Sequence, residues 1–525
     1  MARELQQATV VFKRHLKLVR WFIGTSGGIL IGLWIAIGAL SRAPLLREKL
    51  VETLSEKLDA DVELARFDVK TFPLLRIHGD NLKLRLKGQK QPAPFIEVRH
   101  FEVTGGIFGL FKKQRRFTSV QLDGLRITIP PRTPNDKEAG EKAAATVDEG
   151  PVLIDRIVAN DAELIIVPKN PLKHAKTFAI HSLVLETVGF NRAMPFVATL
   201  TNPLPNGEIA TTGSFGPWAK RDPGLTPLSG KYTFDRADLN TIKGIAGIVT
   251  SDGEFSGHLE EIDVRGKTST PDFSIDVGGT PMPLETTFHA VVDGTNGNTY
   301  LKQVDGKLGE TALSASGAIE TQEGVKGRTV KLDVKILDGR IQDVLKLAVR
   351  AKQPVMLGRI ALQAALLIPP GPEKVMDRLQ LNGRFALEDT RFTDATVTEK
   401  LAELSRRARG KKADEPVGRV TSDMRGRFVL KNSVLRFDPV GFSLPGADIE
   451  LRGIYGVRTQ GLDFAGTLML DAPISKAAGG GVKGFFLKAV DPIFRKNGKG
   501  AVIPITIKGP REEPKFGVQW GRVFK

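Results

Sequence analysis

Along residues 71–88, TFPLLRIHGDNLKLRLKG, apolar and charged positions settle into strict alternation, with Leu82, Leu84 and Leu86 set against Lys83, Arg85 and Lys87. Successive strand side chains point to opposite faces, so the pattern predicts a sheet with one apolar side and one cationic, water-facing side. The same period returns in LRITI, FSIDV, KLDVKI, RFVL and DIEL, each bounded by Gly, Asn, Asp or Pro. From Val62 onward this reads as a mainly β chain of roughly twenty-five strands. A Gly, a strand, a tight turn and another strand recur in LNGRFALEDTRFTD, MRGRFVLKNSVLRFD and LRGIYGVRTQGLDFAGTLML. Weak self-similarity of this kind suits a meandering sheet in which each hairpin packs on its neighbours.

Helical signals are few. Residues 21–41, WFIGTSGGILIGLWIAIGALS, carry no charge; as a helix they would be roughly 31 Å long and match a hydrocarbon core of about 30 Å, which predicts one transmembrane helix. A cleaved signal peptide is the competing reading, but its apolar region is shorter, about 7 to 15 residues, and only Ala39-Leu40-Ser41 resembles a cleavage site. Lys13, Arg14, Lys17 and Arg20 precede the segment and favour a cytoplasmic N-terminus over residues 1–20, with the body in a periplasm-like space. After it, Leu46, Leu50, Leu54 and Leu58 form one stripe behind Pro44, predicting a short amphipathic helix. VTEKLAELSRRA predicts another. A third stretch, from Phe485 to Lys496, combines Phe486, Leu487, Ile493 and Phe494 with Lys488 and Arg495; it would touch a membrane or a partner, or cap the sheet. The plan is therefore an N-terminal β region over 42–129, a polar linker over 130–150, a middle β region over 151–395, a helix and loop over 396–416, and a C-terminal β region over 417–525.

Composition changes this picture little. Of 525 residues, 41% are hydrophobic and 26% charged, as in ordered proteins. The formal charge of +17 would suit nucleic acid, an anionic membrane or polyanionic envelope material, but the cations sit mainly at the solvent positions of strand alternations. Cys is absent, which excludes a disulfide framework, thiolate metal sites and a cysteine nucleophile. The seven His are scattered singly, without the paired spacing a zinc site needs, and are expected at surface or turn positions. GGGVKG, residues 479–484, fits a dinucleotide fingerprint only formally, because no strand precedes it. The nearest approach to a nucleophile elbow, GTSGG, lies inside the apolar segment. Nothing predicts an enzyme, a cofactor or a metal site.

Three regions carry a family likeness: ADVELARFDVKTFPLLRIHGDNLKLRLKG with PFIEVRHFEVTGGIFGLFKKQRRFTSVQLDGLRITIP; the stretch from SGHLEEIDVRGKTSTPDFSIDVGG to TALSASGAIE; and GADIELRGIYG leading to AVIPITIKGPREEPKF. Taken in order, and covering most of the chain, they resemble the AsmA family of envelope proteins. The resemblance implies an inner-membrane anchor and an elongated, twisted antiparallel β-sheet shaped as a groove, as in chorein-type bridge-like lipid transfer proteins. Alternation alone would line such a groove with acyl-compatible side chains. The candidates are Leu82, Leu84, Leu86, Ile127, Ile129, Leu164, Ile166, Phe273, Ile275, Leu332, Val334, Ile336, Phe428 and Leu430. The competing reading is that these residues close on one another in a dry core. An open groove tolerates an inward charge better than a packed core, so Leu84→Asp and Val334→Asp are both expected to fold.

The expected function is phospholipid transport toward an outer membrane, with the lipid and envelope proteins as partners and no nucleic acid. The alternative is an envelope-assembly scaffold that engages unfolded outer-membrane proteins by strand addition.

Overall fold

In the computed structural model the alternating segments form strands that pair with their sequence neighbours. The structure describes residues 60–518 apart from 71–74, 87–93, 107–114, 130–151, 168–174, 190–191, 218–224, most of 412–419, 473–500 and a few shorter gaps, with isolated positions before residue 60. β1 (Ala60–Glu63) and β2 (Arg66–Lys70) both pair with β3 (Leu75–Leu86). β4 (Ile96–Gly105), β5 (Arg115–Ile129), β6 (Val152–Ile166), β7 (Lys176–Val188), β8 (Met194–Pro203), β9 (Asn206–Phe215) and β10 (Pro227–Asp238) follow in order. The two-residue β11 (Ile245–Ala246) pairs with β13, and β10 pairs directly with β12 (Ile248–His258). The meander continues through β13 (Glu261–Ile275), β14 (Met282–Val292), β15 (Thr299–Leu308), β16 (Thr311–Thr321), β17 (Arg328–Arg340), β18 (Met356–Ile368) and β19 (Gln380–Phe392). It ends with β20 (Ser422–Lys431), β21 (Val434–Leu444), β22 (Ala447–Gly456), β23 (Gly461–Leu470), β24 (Ala501–Pro510) and β25 (Lys515–Val518). The ladder is unbroken from β3 to β25 with only β11 outside it, and at ~4.8 Å between neighbours it extends about 100 Å.

The sheet is open and antiparallel with one exception. β5 and β6 run parallel, with Phe117 opposite Ile154 and Ile129 opposite Ile166. Consecutive parallel strands need a crossover instead of a hairpin, and the residues between them are those of the expected linker. The expectation of a purely antiparallel sheet is corrected at this pair. The sheet crosses this boundary, and the β19–β20 boundary, without losing its hydrogen-bonded register.

Irregular positions keep the apolar row on one face. Leu75 and Ile77 share a buried face with Leu82 and Leu84 although their parity differs: Asn81 takes a positive φ of 52°, and on β4 the buried positions change parity at the same level, from Val98 to Phe101, so the pairing keeps its register. In β13 the register shifts between Thr270 and Phe273, which returns Phe273 to the face of Met282. In β17 a shift between Ile336 and Gly339 throws Leu337 outward, where it is 86% exposed.

Glycine marks the line along which the sheet folds toward its apolar face. A Cβ on Gly466 would stand 1.8 Å from the Glu450 carbonyl oxygen, and one on Gly213 would stand 2.1 Å from that of Ser229. Such contacts mean that the neighbouring backbone has risen onto the inner side, so that face is concave there.

Two helices run along one long rim of the sheet. α1 (Ile341–Ala348) presents Asp343, whose carboxylate accepts the Glu310 N–H at 3.1 Å and the Thr311 hydroxyl at 2.9 Å, while its Lys346 carbonyl accepts the Thr280 N–H at 2.8 Å. A single turn, α2 (Val375–Arg378), lies between β18 and β19. α3 (Ala395–Ala408) starts at an Asp394 cap on the Val397 N–H and covers the VTEKLAELSRRA prediction. Its Ser405 hydroxyl donates to the Pro445 carbonyl at 2.6 Å, and its Ala408 carbonyl accepts the Ala472 N–H at 2.8 Å. Each helix thus latches successive turns at the same ends of the strands. Under them lie two small buried clusters, around Ile336, Met356 and Ile360, and around Leu444, Ala447 and Leu470.

The N-terminal end is different. Leu75, Ile77, Leu82, Leu84, Ile96, Val98, Phe101, Val103 and Phe117 are each at most 3% exposed and pack as one core. Glu48, Val51, Glu52 and Ser55 are helical, as the amphipathic stripe predicted, and Val51 packs against this core. Among the described residues no helix is long and apolar enough to cross a membrane; the predicted span 21–41, the stretch from Phe485 to Lys496 and the GGGVKG segment lie outside them.

Candidate functional site

From β15 to β24 the concave face is lined by apolar side chains, most of them partly exposed because among the described residues no second sheet covers them, with Ala364 and Phe464 buried at 9% exposure. Strand register joins them into a row: Ala315, Val334, Ala364, Gly383, Phe428, Phe437, Gly453, Phe464 and Ile507. Burial alternates accordingly, with Lys331, Asp333 and Lys335 exposed while Leu332 and Val334 are partly exposed. Here the apolar face belongs to an open sheet that no second sheet covers among the described residues.

The repeated Gly-Arg-Phe tripeptides explain part of its floor. Gly383-Arg384-Phe385 and Gly426-Arg427-Phe428 lie on adjacent antiparallel strands so that Gly383 faces Phe428 and Phe385 faces Gly426. Each ring covers the other strand's glycine, a cross-strand pairing that seals the backbone of a sharply curved sheet. Phe385 and Phe428 have ring centroids 6.2 Å apart, Phe437 meets Phe385 edge-on at 6.4 Å, and Phe464 lies 5.9 Å from Phe437. Of these four only Phe428 is a sequence candidate. The repeat was visible in the chain, but its interlocking depends on register.

The remaining candidates divide by position. Leu332, Val334, Phe273 and Ile275 are partly exposed on the concave face, whereas Ile336 and Leu430, each 4% exposed, lie buried near opposite rims. Leu164 is partly buried against the N-terminal core. Leu82, Leu84 and Ile127, at 1%, 0% and 8% exposure, are inside that core. There the competing dry-core reading holds, and the expectation that Leu84→Asp folds is withdrawn. Leu86, Ile129 and Ile166 end their strands with backbone partners Ala60, Ile166 and Lys176.

The convex face carries the charge. Arg126 bonds Glu163 at 2.8 Å and reaches Glu97 at 3.3 Å; the hydrogen bond and charge of Glu163 raise its pKa above the usual arginine value. Arg116 and Asp155, Lys508 and Asp463, and Arg359 and Glu388 make further cross-strand pairs. Such exposed pairs add at most about 1 kcal/mol each and fix register more than stability. A depression of about 630 Å³ over β12–β16 belongs mainly to this face: Asp252, Lys267, Glu285, Asp305 and Lys307 line it. Its charged rim suits water, not an acyl chain. His78, His100, His181, His258 and His289 all lie in strands at exposed or partly exposed positions, and His100 and His289 pair with Asp80 and Asp263. Among the described residues no group of three or more His, Asp or Glu could hold a metal ion.

No family model, no curated protein and no solved structure matches the chain.

Proposed function

We propose that the chain is a membrane-anchored envelope protein of AsmA type whose concave β-trough carries phospholipid acyl tails toward an outer membrane. The observation that carries the reading is the row from Val334 to Ile507: apolar, laterally continuous through hydrogen-bonded strands, and partly exposed at Val334, Phe428, Phe437 and Ile507, with Ala364 and Phe464 buried between them. A phospholipid with about thirty methylenes at ~0.8 kcal/mol each faces on the order of 24 kcal/mol if its tails cross water bare. A lining continuous from strand to strand removes most of that barrier without any special residue type. Tails lie on the floor, the head group stays in solvent along the rim that α1 and α3 leave free, and residues 21–41 hold the near end at the inner membrane. No step involves covalent chemistry, so no catalytic group is assigned.

The alternative scaffold reading draws on one feature: β25 has four residues and covers only Ile505–Lys508 of β24, and a sheet edge can accept an added strand. The trough accounts for far more of the chain.

A photo-crosslinking residue at Leu366 on the concave face, or at Lys331 on the convex face, separates the readings in living cells. Lipid adducts are expected at Leu366 and none at Lys331. Equal labelling at both, or adducts only with protein, rejects lipid carriage.

A further inference from the structure

Among the described residues the partly exposed floor of the concave face is mostly apolar or glycine, with a run of hydroxyls over β9–β14 beside Phe255, Val264 and Phe288. In β9, β10, β12, β13 and β14 the inward positions include Thr211, Tyr232, Ser251, Thr268 and Thr286, all partly exposed. Register sets Thr211 opposite Tyr232, Ser251 opposite Thr268, and Thr268 opposite Thr286. The Tyr232 hydroxyl stands 3.2 Å from Ser251 Oγ, and the Thr268 and Thr286 hydroxyls are 2.7 Å apart. Two inward glycines make room for the phenol: a Cβ on Gly253 would meet its ring edge at 3.0 Å, and one on Gly266 would meet its hydroxyl at 2.7 Å. The tyrosine therefore lies across β12 and places its oxygen over β13, on the floor of the trough. Burial raises its pKa above the usual phenol value, so the group is a neutral hydroxyl at physiological pH. To one side the lining is Phe196 and Leu200, and to the other Val304 and Leu313.

We infer that this band of hydroxyls is a hydrated step that divides the trough and sets the rate at which acyl tails pass along it. The inference rests on the lipid reading above. Each hydroxyl offers one donor and two acceptor sites. Their mutual bonds use only part of that capacity, and Thr211 spends its proton on the Lys231 carbonyl at 2.9 Å. In a trough open to solvent, water occupies the rest. An acyl chain sliding over the band must strip that water and offers no hydrogen bond in return, a cost the apolar stretches on either side do not impose. A cross-strand threonine pair also stabilises a sheet, so the test replaces threonine by valine, which keeps the branched shape and strand propensity while removing the hydroxyl, and serine by alanine, which removes only the hydroxyl.

The purified full chain is reconstituted into phosphatidylethanolamine and phosphatidylglycerol donor vesicles carrying a self-quenched fluorescent phospholipid, and transfer to acceptor vesicles is timed. The triple variant Ser251→Ala, Thr268→Val, Thr286→Val is expected to raise the initial rate about fivefold. The convex-face control Thr250→Val, Thr287→Val is expected to leave it unchanged. Thr268→Val alone gives a smaller rise and serves if the triple variant melts early. A triple variant no faster than the unaltered chain, or a control that speeds transfer equally, overturns the inference. An unaltered chain that transfers nothing and yields no lipid adduct at Leu366 overturns the lipid reading and the inference with it.

Discussion

Leu84→Asp is expected to unfold the N-terminal end of the sheet. Leu84 is fully buried, with Val62 opposite on β1 and Ile96 opposite on β4. Truncating a buried leucine costs about 2–5 kcal/mol through lost transfer energy and the cavity left behind. An aspartate adds several kcal/mol more, because the charged residues nearby, Lys83 and Arg85, point to the opposite face and give its carboxylate no buried partner. The sum is comparable to the whole stability of an ordinary domain, about 5–15 kcal/mol. In a sheet built from nearest-neighbour contacts the damage stays local, so hydrogen exchange is the suitable probe. Amides of β1–β5 should lose protection while those of β17–β24 keep theirs. Full protection of β3 and β4 in the variant would show that this end is not a sealed core.

Val334→Asp, equally central in its own strand, is expected to fold and to stop lipid. Val334 lies between Ala315 on β16 and Ala364 on β18, two small neighbours that leave its side chain partly exposed. An aspartate there keeps its carboxylate wet and gives up mainly strand propensity, roughly 1 kcal/mol. For an acyl chain the same carboxylate is a barrier of several kcal/mol, since it must be dehydrated unpaired for the chain to lie across it. Far-ultraviolet circular dichroism and melting should therefore change little, while lipid adducts at Leu366 fall by at least about tenfold, equivalent to roughly 1.4 kcal/mol. Adducts at the level of the unaltered chain would remove Val334 from the lipid path, and a variant that fails to fold would place it in a closed interior. The contrast between positions 84 and 334 is sharper than either result alone, because both changes put aspartate in place of a leucine or valine at an inward strand position and differ in what lies above it.

That contrast also marks how far the chain could be read. Alternation identified the strands and the apolar face, since a strand's side-chain period is fixed by backbone geometry: LKLRL, KLDVKI, RFVL and DIEL all lie in strands with their charged residues outward. The helix after β19 was legible from its apolar spacing. What alternation does not encode is whether a second layer covers the apolar face, so Leu82 and Leu332 gave the same signal and ended in different environments. The parallel β5–β6 pair was equally hidden, because pairing direction depends on where the chain returns and not on the strands themselves. The hydroxyl band shows only after register is known: Ser251, Thr268 and Thr286 are far apart in sequence and become neighbours through two hairpins. Leu337 illustrates the converse, an apolar residue sent to solvent by a bulge that a count of alternate positions does not reveal.

The most direct measurement is of what the full chain carries when it is purified free of detergent. Native mass spectrometry followed by lipid extraction should find phospholipid bound at one or more copies per chain, in amounts that Val334→Asp lowers. A chain that is folded, retains its sheet and holds no lipid would contradict the account at its centre.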